Sequence, residues 1–289
     1  MQRHSAICFT AVAISAALVS SPSLARPAQQ PVEITFDARV GEQPAKCGQS
    51  YSGIGAAKAV LTLQDFRLYV SGVRLIDKAG KEVPVQLTPD DQWQSRTVTL
   101  LDFVDGTGAC NGNSGMNTMV RGTVPKGQYR GLVFDISVPF AENHQDPTLA
   151  ATPLNVTGMT WPWRIGYKFV GIDIETSGGK PGPNAATGFS IHLGSTECGE
   201  GSPRTAPTAP CANPNRPALR FGKFDAKKNK VVLDLAALLA ESDVTVNAPQ
   251  SASGCMSFPG DADCNAIMDR FGLPFDGKPS GGQKWIRVE

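Results

Sequence analysis

The stretch VLTLQDFRLYVSGVRLID, residues 60–77, decides the fold: it is a long β candidate, interrupted only at Ser71-Gly72. Upstream, VEITFDARV (32–40) puts Val32, Ile34 and Phe36 on one face, the period-2 pattern of a half-buried strand. Downstream, VTLLDF (98–103), YRGLVFDISVP (129–139), WRIGYKFVGIDIE (163–175) and GFSIHLG (188–194) continue the series. Loops rich in Gly and Asn separate them, notably DGTGACNGNSGMN (105–117) and TSGGKPGPNAATG (176–188). ALRFGKFD and KVVLDL, within 218–235, read as a further hairpin across a Lys-rich turn. Helical signals are confined to 235–240 and to 263–271, where Gly272 supplies the stop. Strands at this spacing predict an all-β fold, an antiparallel β-sandwich or Greek-key barrel with long loops, one or two short helices and disulfide staples.

Composition agrees. The 289 residues are 41% hydrophobic and 18% charged, enough for a sizeable core, while Gly 30 and Pro 22 favour turns over long helices. A formal net charge of +1 without a basic block gives no nucleic-acid footprint. Residues 1–25 read as a signal peptide: Arg3 and His4, an apolar run to Ser20, then Ser23-Leu24-Ala25 as a cleavage site. The run is too short for a membrane anchor. The expected product is a periplasmic or secreted chain, 26–289, as one β-sandwich domain with a loop-rich portion at about 245–289.

Cleavage removes His4 and Cys8. Six cysteines remain in an oxidising compartment, where disulfides are the default. Loop proximity favours Cys198–Cys211 and Cys255–Cys264, leaving Cys47–Cys110 by elimination. No Cys-x-x-Cys spacing supports zinc. Gly-x-Ser-x-Gly, the phosphate-binding loop, the dinucleotide fingerprint and Cys-x-x-Cys-His are all absent, so hydrolase, nucleotide and self-attached haem chemistries have no local signature.

Metal chemistry survives. Every imidazole ligand must come from His144, in PFAENHQDP, and His192, in GFSIHLGSTEC. The plain alternative makes both structural. In GMTWPWRIGYKF (158–169), Met159, Trp161 and Trp163 share one face if the segment is extended. That stripe is either aromatic core or part of a site, and a thioether with imidazoles suits copper(I). Two imidazoles alone seldom satisfy copper. Asp102, Asp105, Asn111 and Asn113 offer hard oxygens for a structural Ca²⁺, without EF-hand spacing; the alternative is a turn anchored at Cys110.

LLDFVDGTGAC (100–110), VPFAENHQDP (138–147), GMTWPWRIGYKF, FSIHLGSTEC (189–198) with CANPNR (211–216), and GCMSFPGDADC (254–264) together resemble the MbnP family, the four-Cys member of a "metallo-mystery pair" related to MopE and CorA. The resemblance implies an exported copper-binding protein of copper homeostasis. It also implies a di-haem partner enzyme of the MauG or cytochrome c peroxidase type (MbnH type) that oxidises a tryptophan to kynurenine. Kynurenine carries an aniline nitrogen and a ketone, whereas an indole N–H only donates. On this reading His144 and His192 bind copper, as Cu(I) by donor softness, with kynurenine from Trp161 or Trp163. Trp161 is preferred because Met159, two residues before it, would bring a thioether to the same place. Pro162, between the tryptophans, predicts an edge strand or bulge. The chain is then the substrate of an enzyme rather than an enzyme. The competing readings are an exported interaction or adhesion sandwich without metal, and a hydrolase on a β scaffold.

Overall fold

The computed structural model describes residues 27–110, 112, 114–162, 164–202 and 204–289; the signal segment lies outside them. The chain begins with β1 (Gln29–Val40), β2 (Gln43–Pro44), β3 (Ser50–Ile54), β4 (Ala59–Asp77), β5 (Glu82–Pro84), β6 (Gln86–Leu87), β7 (Val98–Asp102), β8 (Met119–Pro125) and β9 (Tyr129–Ile136). There follow α1 (Phe140–Asn143), a 3-10 turn (Thr157–Met159), β10 (Lys168–Ser177), β11 (Gly188–Gly194), β12 (Ala218–Phe221), β13 (Val231–Asp234) and α2 (Leu235–Leu239). The last elements are β14 (Gly254–Cys255), α3 (Cys264–Phe271) and β15 (Ile286–Val288).

Two sheets form. One runs β15-β13-β1-β8-β6 with β2 beside β1; the other runs β12-β9-β4-β10-β11-β14, with β3, β5 and β7 also on β4. Strand β1 buries alternate residues Val32, Ile34, Phe36, Ala38 and Val40, as a strand covered on one face must. Strand β4 is the hub: Phe66, Leu68, Tyr69 and Val70 are all buried, because β7, β9 and β10 pair along it and the core covers it. One apolar cluster joins residues from Val32 to Ile286, including Phe36 edge-on to Phe134 and Phe271 edge-on to Trp285.

The all-β architecture is the expected one, but it carries three short helices where one or two were expected, α1 lying outside the two stretches with helical signals, and its strand pairing differs in two respects. Pairings β1–β13 and β11–β14 are parallel within an otherwise antiparallel arrangement. The segments at 218–235 are not a hairpin: β12 pairs with β9 and β13 with β1 and β15, so the two strands lie in different sheets. The intervening turn is held by Asn229, whose side chain accepts from the Asp225 N–H and whose own N–H bonds the Asp225 carbonyl. It reverses the chain while carrying it from one sheet to the other.

Helix α2 begins where the Asp234 carboxylate accepts from the Ala237 N–H at 3.2 Å, and α3 ends at Gly272 with φ 82°. Disulfides join Cys47–Cys110, Cys198–Cys211 and Cys255–Cys264, the pairs that proximity and elimination favour. The last ties β14 to α3, while β15 completes the smaller sheet. No helix among the described residues is long and apolar enough to cross a membrane.

Candidate metal centre

Three neighbouring strands place polar or side-chain-free residues at matching positions. In register, Asp173 of β10 faces Asp65 of β4 and Ser190 of β11, while Gly171 faces Arg67 and His192. Directly opposed residues of an antiparallel pair project to the same face, so these residues share one side of the sheet. Gly194, two residues after His192, falls on that side too.

The two glycines make room there. A Cβ on Gly171 would lie 2.8 Å from Met159 Sδ, and one on Gly194 would meet the Trp161 ring and lie 2.8 Å from the Tyr167 carbonyl oxygen. Met159 and Trp161 therefore sit directly on the sheet beside His192. The Trp161 and His192 rings are 6.5 Å apart between centroids, and Phe258, 39% exposed, stands 6.0 Å from Trp161 on its other contact. Met159 is fully buried, Trp161 half-buried.

His192 Nε2 lies 3.0 Å from Asp173 Oδ1, which also accepts from Ser190 Oγ at 2.6 Å. Burial pushes the Asp173 carboxyl up, but the bonds from His192 and Ser190 and the Lys168 charge outweigh it and leave the group below its ordinary value. Asp65 beside it is pushed up, chiefly by burial, although Arg67 grips it with both arms of its guanidinium. Asp65, Arg67 and Asp173 line a cleft of about 770 Å³ with Thr157 and Gly158. A cleft of similar size, about 800 Å³, along β1 and the 224–227 turn contains neither histidine nor Trp161.

His144 follows α1. Asn143, fully buried, accepts the Tyr167 N–H at 3.0 Å and packs against Gly166, whose φ of 96° and missing Cβ admit it. His144 Nε2 is 3.2 Å from Asn143 Nδ2 and 3.8 Å from Cys211 Sγ, and Phe140 lies edge-on to its ring. Donor atoms of His144, Cys198 and Cys211 lie within 4.8 Å of one another, but both sulfurs are spent in a disulfide and offer no thiolate.

The structure thus brings His192, Trp161 and Met159 together. It joins His144 to the same 161–167 turn through Asn143. Trp163, Asn111 and Asn113 lie outside the described residues. The extended stripe is not realised: Met159 ends a 3-10 turn, and Trp161 enters a reverse turn in which its N–H bonds Gly166 and the Pro162 carbonyl accepts from Ile165 and Gly166. Pro162 therefore opens a turn rather than sitting in an edge strand; the surrounding chain is bridged at Thr160 and Tyr167. Trp93 and Trp285 are core residues. Asp105 is engaged by the Thr107 N–H and hydroxyl, whereas Asp102 is buried with Oδ2 lacking a partner among the described residues. Sequence reasoning missed Asp65, Arg67, Asp173 and Ser190. Their signal is a charged or polar pair two apart inside each strand, but only the register shows that the pairs converge.

The MbnP family profile matches residues 29–257. The chain belongs to the MbnP family. A solved structure titled MbnP from Methylosinus trichosporium is 34% identical, with a TM-score of 0.78 over 90% of this chain and 98% of that one. No curated protein sequence matches. Within this MbnP fold, Met159 and Trp161 lie over Gly171 and Gly194, beside His192 on the face of the larger sheet that also carries Asp173.

Proposed function

We propose that this MbnP-family chain is an exported copper-binding protein. Its Trp161 is opened to kynurenine by a di-haem partner of the MauG type, and the product binds copper with His192 and His144, with Met159 as a further thioether donor. The observation that carries this reading is the seat of Trp161 on Gly194, in ring contact with His192. An indole there gives a metal nothing, since its nitrogen only donates; opening the ring adds an aniline nitrogen and a ketone beside an imidazole. Phe258 supports access, because it is exposed and touches Trp161, giving an aromatic route from the surface.

The chemistry balances as a four-electron oxidation. The indole C2–C3 bond breaks, two oxygen atoms enter, and two peroxide equivalents are reduced to water at the partner. Hydrolysis then releases formic acid and leaves the aniline. The net gain is about +4 Da. Copper is the cargo, and the soft and borderline donors favour Cu(I). A Ca²⁺ in the 102–117 loop is a second proposal, favoured by Asp102 Oδ2, which has no hydrogen-bond partner among the described residues.

The test is peptide mapping of 159–164 in protein produced with and without the haem partner, alongside copper stoichiometry. A shift on Trp161 that appears only with the partner, together with bound copper, supports the reading. A shift confined to Trp163 moves the site. An unmodified peptide and no copper under both conditions return the chain to a metal-free interaction protein.

A further inference from the structure

We propose that Asp173 is a positioning residue that makes His192 a ligand through Nδ1 and not through Nε2. This rests on the copper reading above and names how its imidazole is presented. His192 Nε2 points at Asp173 Oδ1 at 3.0 Å. A carboxylate only accepts, so the pair is a bond when the proton is on Nε2, and the lone pair is then left on Nδ1. A ligating histidine characteristically gives its other N–H to a carboxylate or carbonyl, which fixes tautomer and ring orientation.

Asp173 is itself held for the task. Ser190, its cross-strand neighbour on β11, donates to the same Oδ1 at 2.6 Å. On the other flank it faces Asp65, whose charge is taken up by Arg67. Asp65 is therefore spent on its own strand, and the carboxylate at His192 is Asp173. The ring it orients lies against Trp161, and a Cβ on Gly171, the residue paired with His192, would meet Met159 Sδ. Asp173 itself borders the cleft lined by Asp65 and Arg67. Its contact with Nε2 sends the imidazole's remaining nitrogen away from the carboxylate.

The experiment is side-chain ¹⁵N–¹H correlation on mature protein labelled at histidine, with the 159–164 peptide mass checked first. Spectra are taken at pH 8, metal-free and after one equivalent of Cu(I), which is diamagnetic. Wild type is expected to show His192 as the Nε2–H tautomer, and Cu(I) to move Nδ1 while Nε2–H persists. Asp173→Ala should give mixed tautomers and about 10- to 100-fold weaker Cu(I) binding. Asp173→Glu, which keeps a carboxylate that can only accept, should restore the single tautomer. Ser190→Ala, which spares the His192 bond, should keep it as well.

An Nδ1–H tautomer in wild type, or Cu(I) moving Nε2, overturns the inference and leaves copper binding intact. If Cu(I) moves neither nitrogen, the copper reading itself fails and this inference falls with it. Unchanged tautomer and affinity in a folded Asp173→Ala protein also overturns it.

Discussion

Gly194 is where the smallest chemical change reaches the site most directly. Its missing Cβ is occupied by the Trp161 ring, and the Tyr167 carbonyl closes the other side at 2.8 Å. The backbone oxygen is fixed by the chain, so an added methyl must push the indole. We predict that Gly194→Ala costs about 1–3 kcal/mol of stability through overpacking. It should also lower the yield of the +4 Da product, since Trp161 leaves its contact with His192. Urea unfolding and the mass of the 159–164 peptide check both. A wild-type yield at wild-type stability would show that the seat is not needed. In sequence, a glycine at the end of GFSIHLG signals only a bulge or a close approach. What makes the approach becomes visible in three dimensions. The two histidines stand out in the sequence for a different reason: beyond the expected signal segment there is no other imidazole to choose from.

At the scale of elements, the 161–167 turn couples the two halves of the candidate site. It receives His192 through Trp161, and His144 through Asn143, Gly166 and Tyr167. The loop closed by Cys198–Cys211, with a sequence separation of 13, packs its Cys211 sulfur 3.8 Å from His144. Replacing both cysteines by serine should cost about 2–3 kcal/mol, the order expected for a loop of this length. It should also loosen His144 and weaken Cu(I) binding, with the His192 tautomer unchanged. Denaturant midpoints and a Cu(I) competition titration measure the two effects. Full affinity in the double serine variant would release His144 from dependence on this loop. Gly166→Ala should be harsher, because φ is 96° and the new Cβ would lie 2.6 Å from Asn143 Nδ2 and closer still to its carbonyl oxygen. Loss of the Tyr167–Asn143 bond by amide exchange would register it. None of this coupling is legible in sequence. The Trp-Pro-Trp segment reads as extended by period, whereas Pro162 and the positive-φ Gly166 turn the chain back so that the Trp161 N–H meets the Gly166 carbonyl. The polar pairs of β4, β10 and β11 are visible one strand at a time, but their meeting depends on register, which tertiary pairing sets.

For the whole molecule, the strands were legible because apolar residues alternate, as in β1, or run together, as in β4. Sheet membership was not. A Lys-rich turn between two apolar segments looks like a hairpin wherever its strands go, and here β12 and β13 part into different sheets. A second link between the sheets ends in a strained electrostatic environment. Asp102 closes β7 on β4, and its backbone exchanges both hydrogen bonds with Asn117, just before β8 enters the smaller sheet. Its side chain is fully buried, with Oδ1 accepting from Val104 and Oδ2 unpartnered among the described residues. Burial, against the partial offset of the Val104 N–H and Arg67, pushes its carboxyl up to about 7. In the unfolded chain this group loses its proton near pH 4, so between about pH 4 and 7 the native state holds more protons than the unfolded state. The contribution of Asp102 to stability therefore falls with rising pH across that window and levels off above it. Asp102→Asn keeps the acceptor for Val104 and removes the ionisation. We predict that the variant gains on wild type as pH rises, by about 1–4 kcal/mol at pH 8 relative to pH 4. Parallel urea titrations of both proteins in calcium-free buffer give this difference directly, because the other groups cancel. A pH-independent difference would place an unseen cation or donor on Oδ2. Calcium that stabilises wild type but not Asp102→Asn would identify the cation as the reason a carboxylate is kept there.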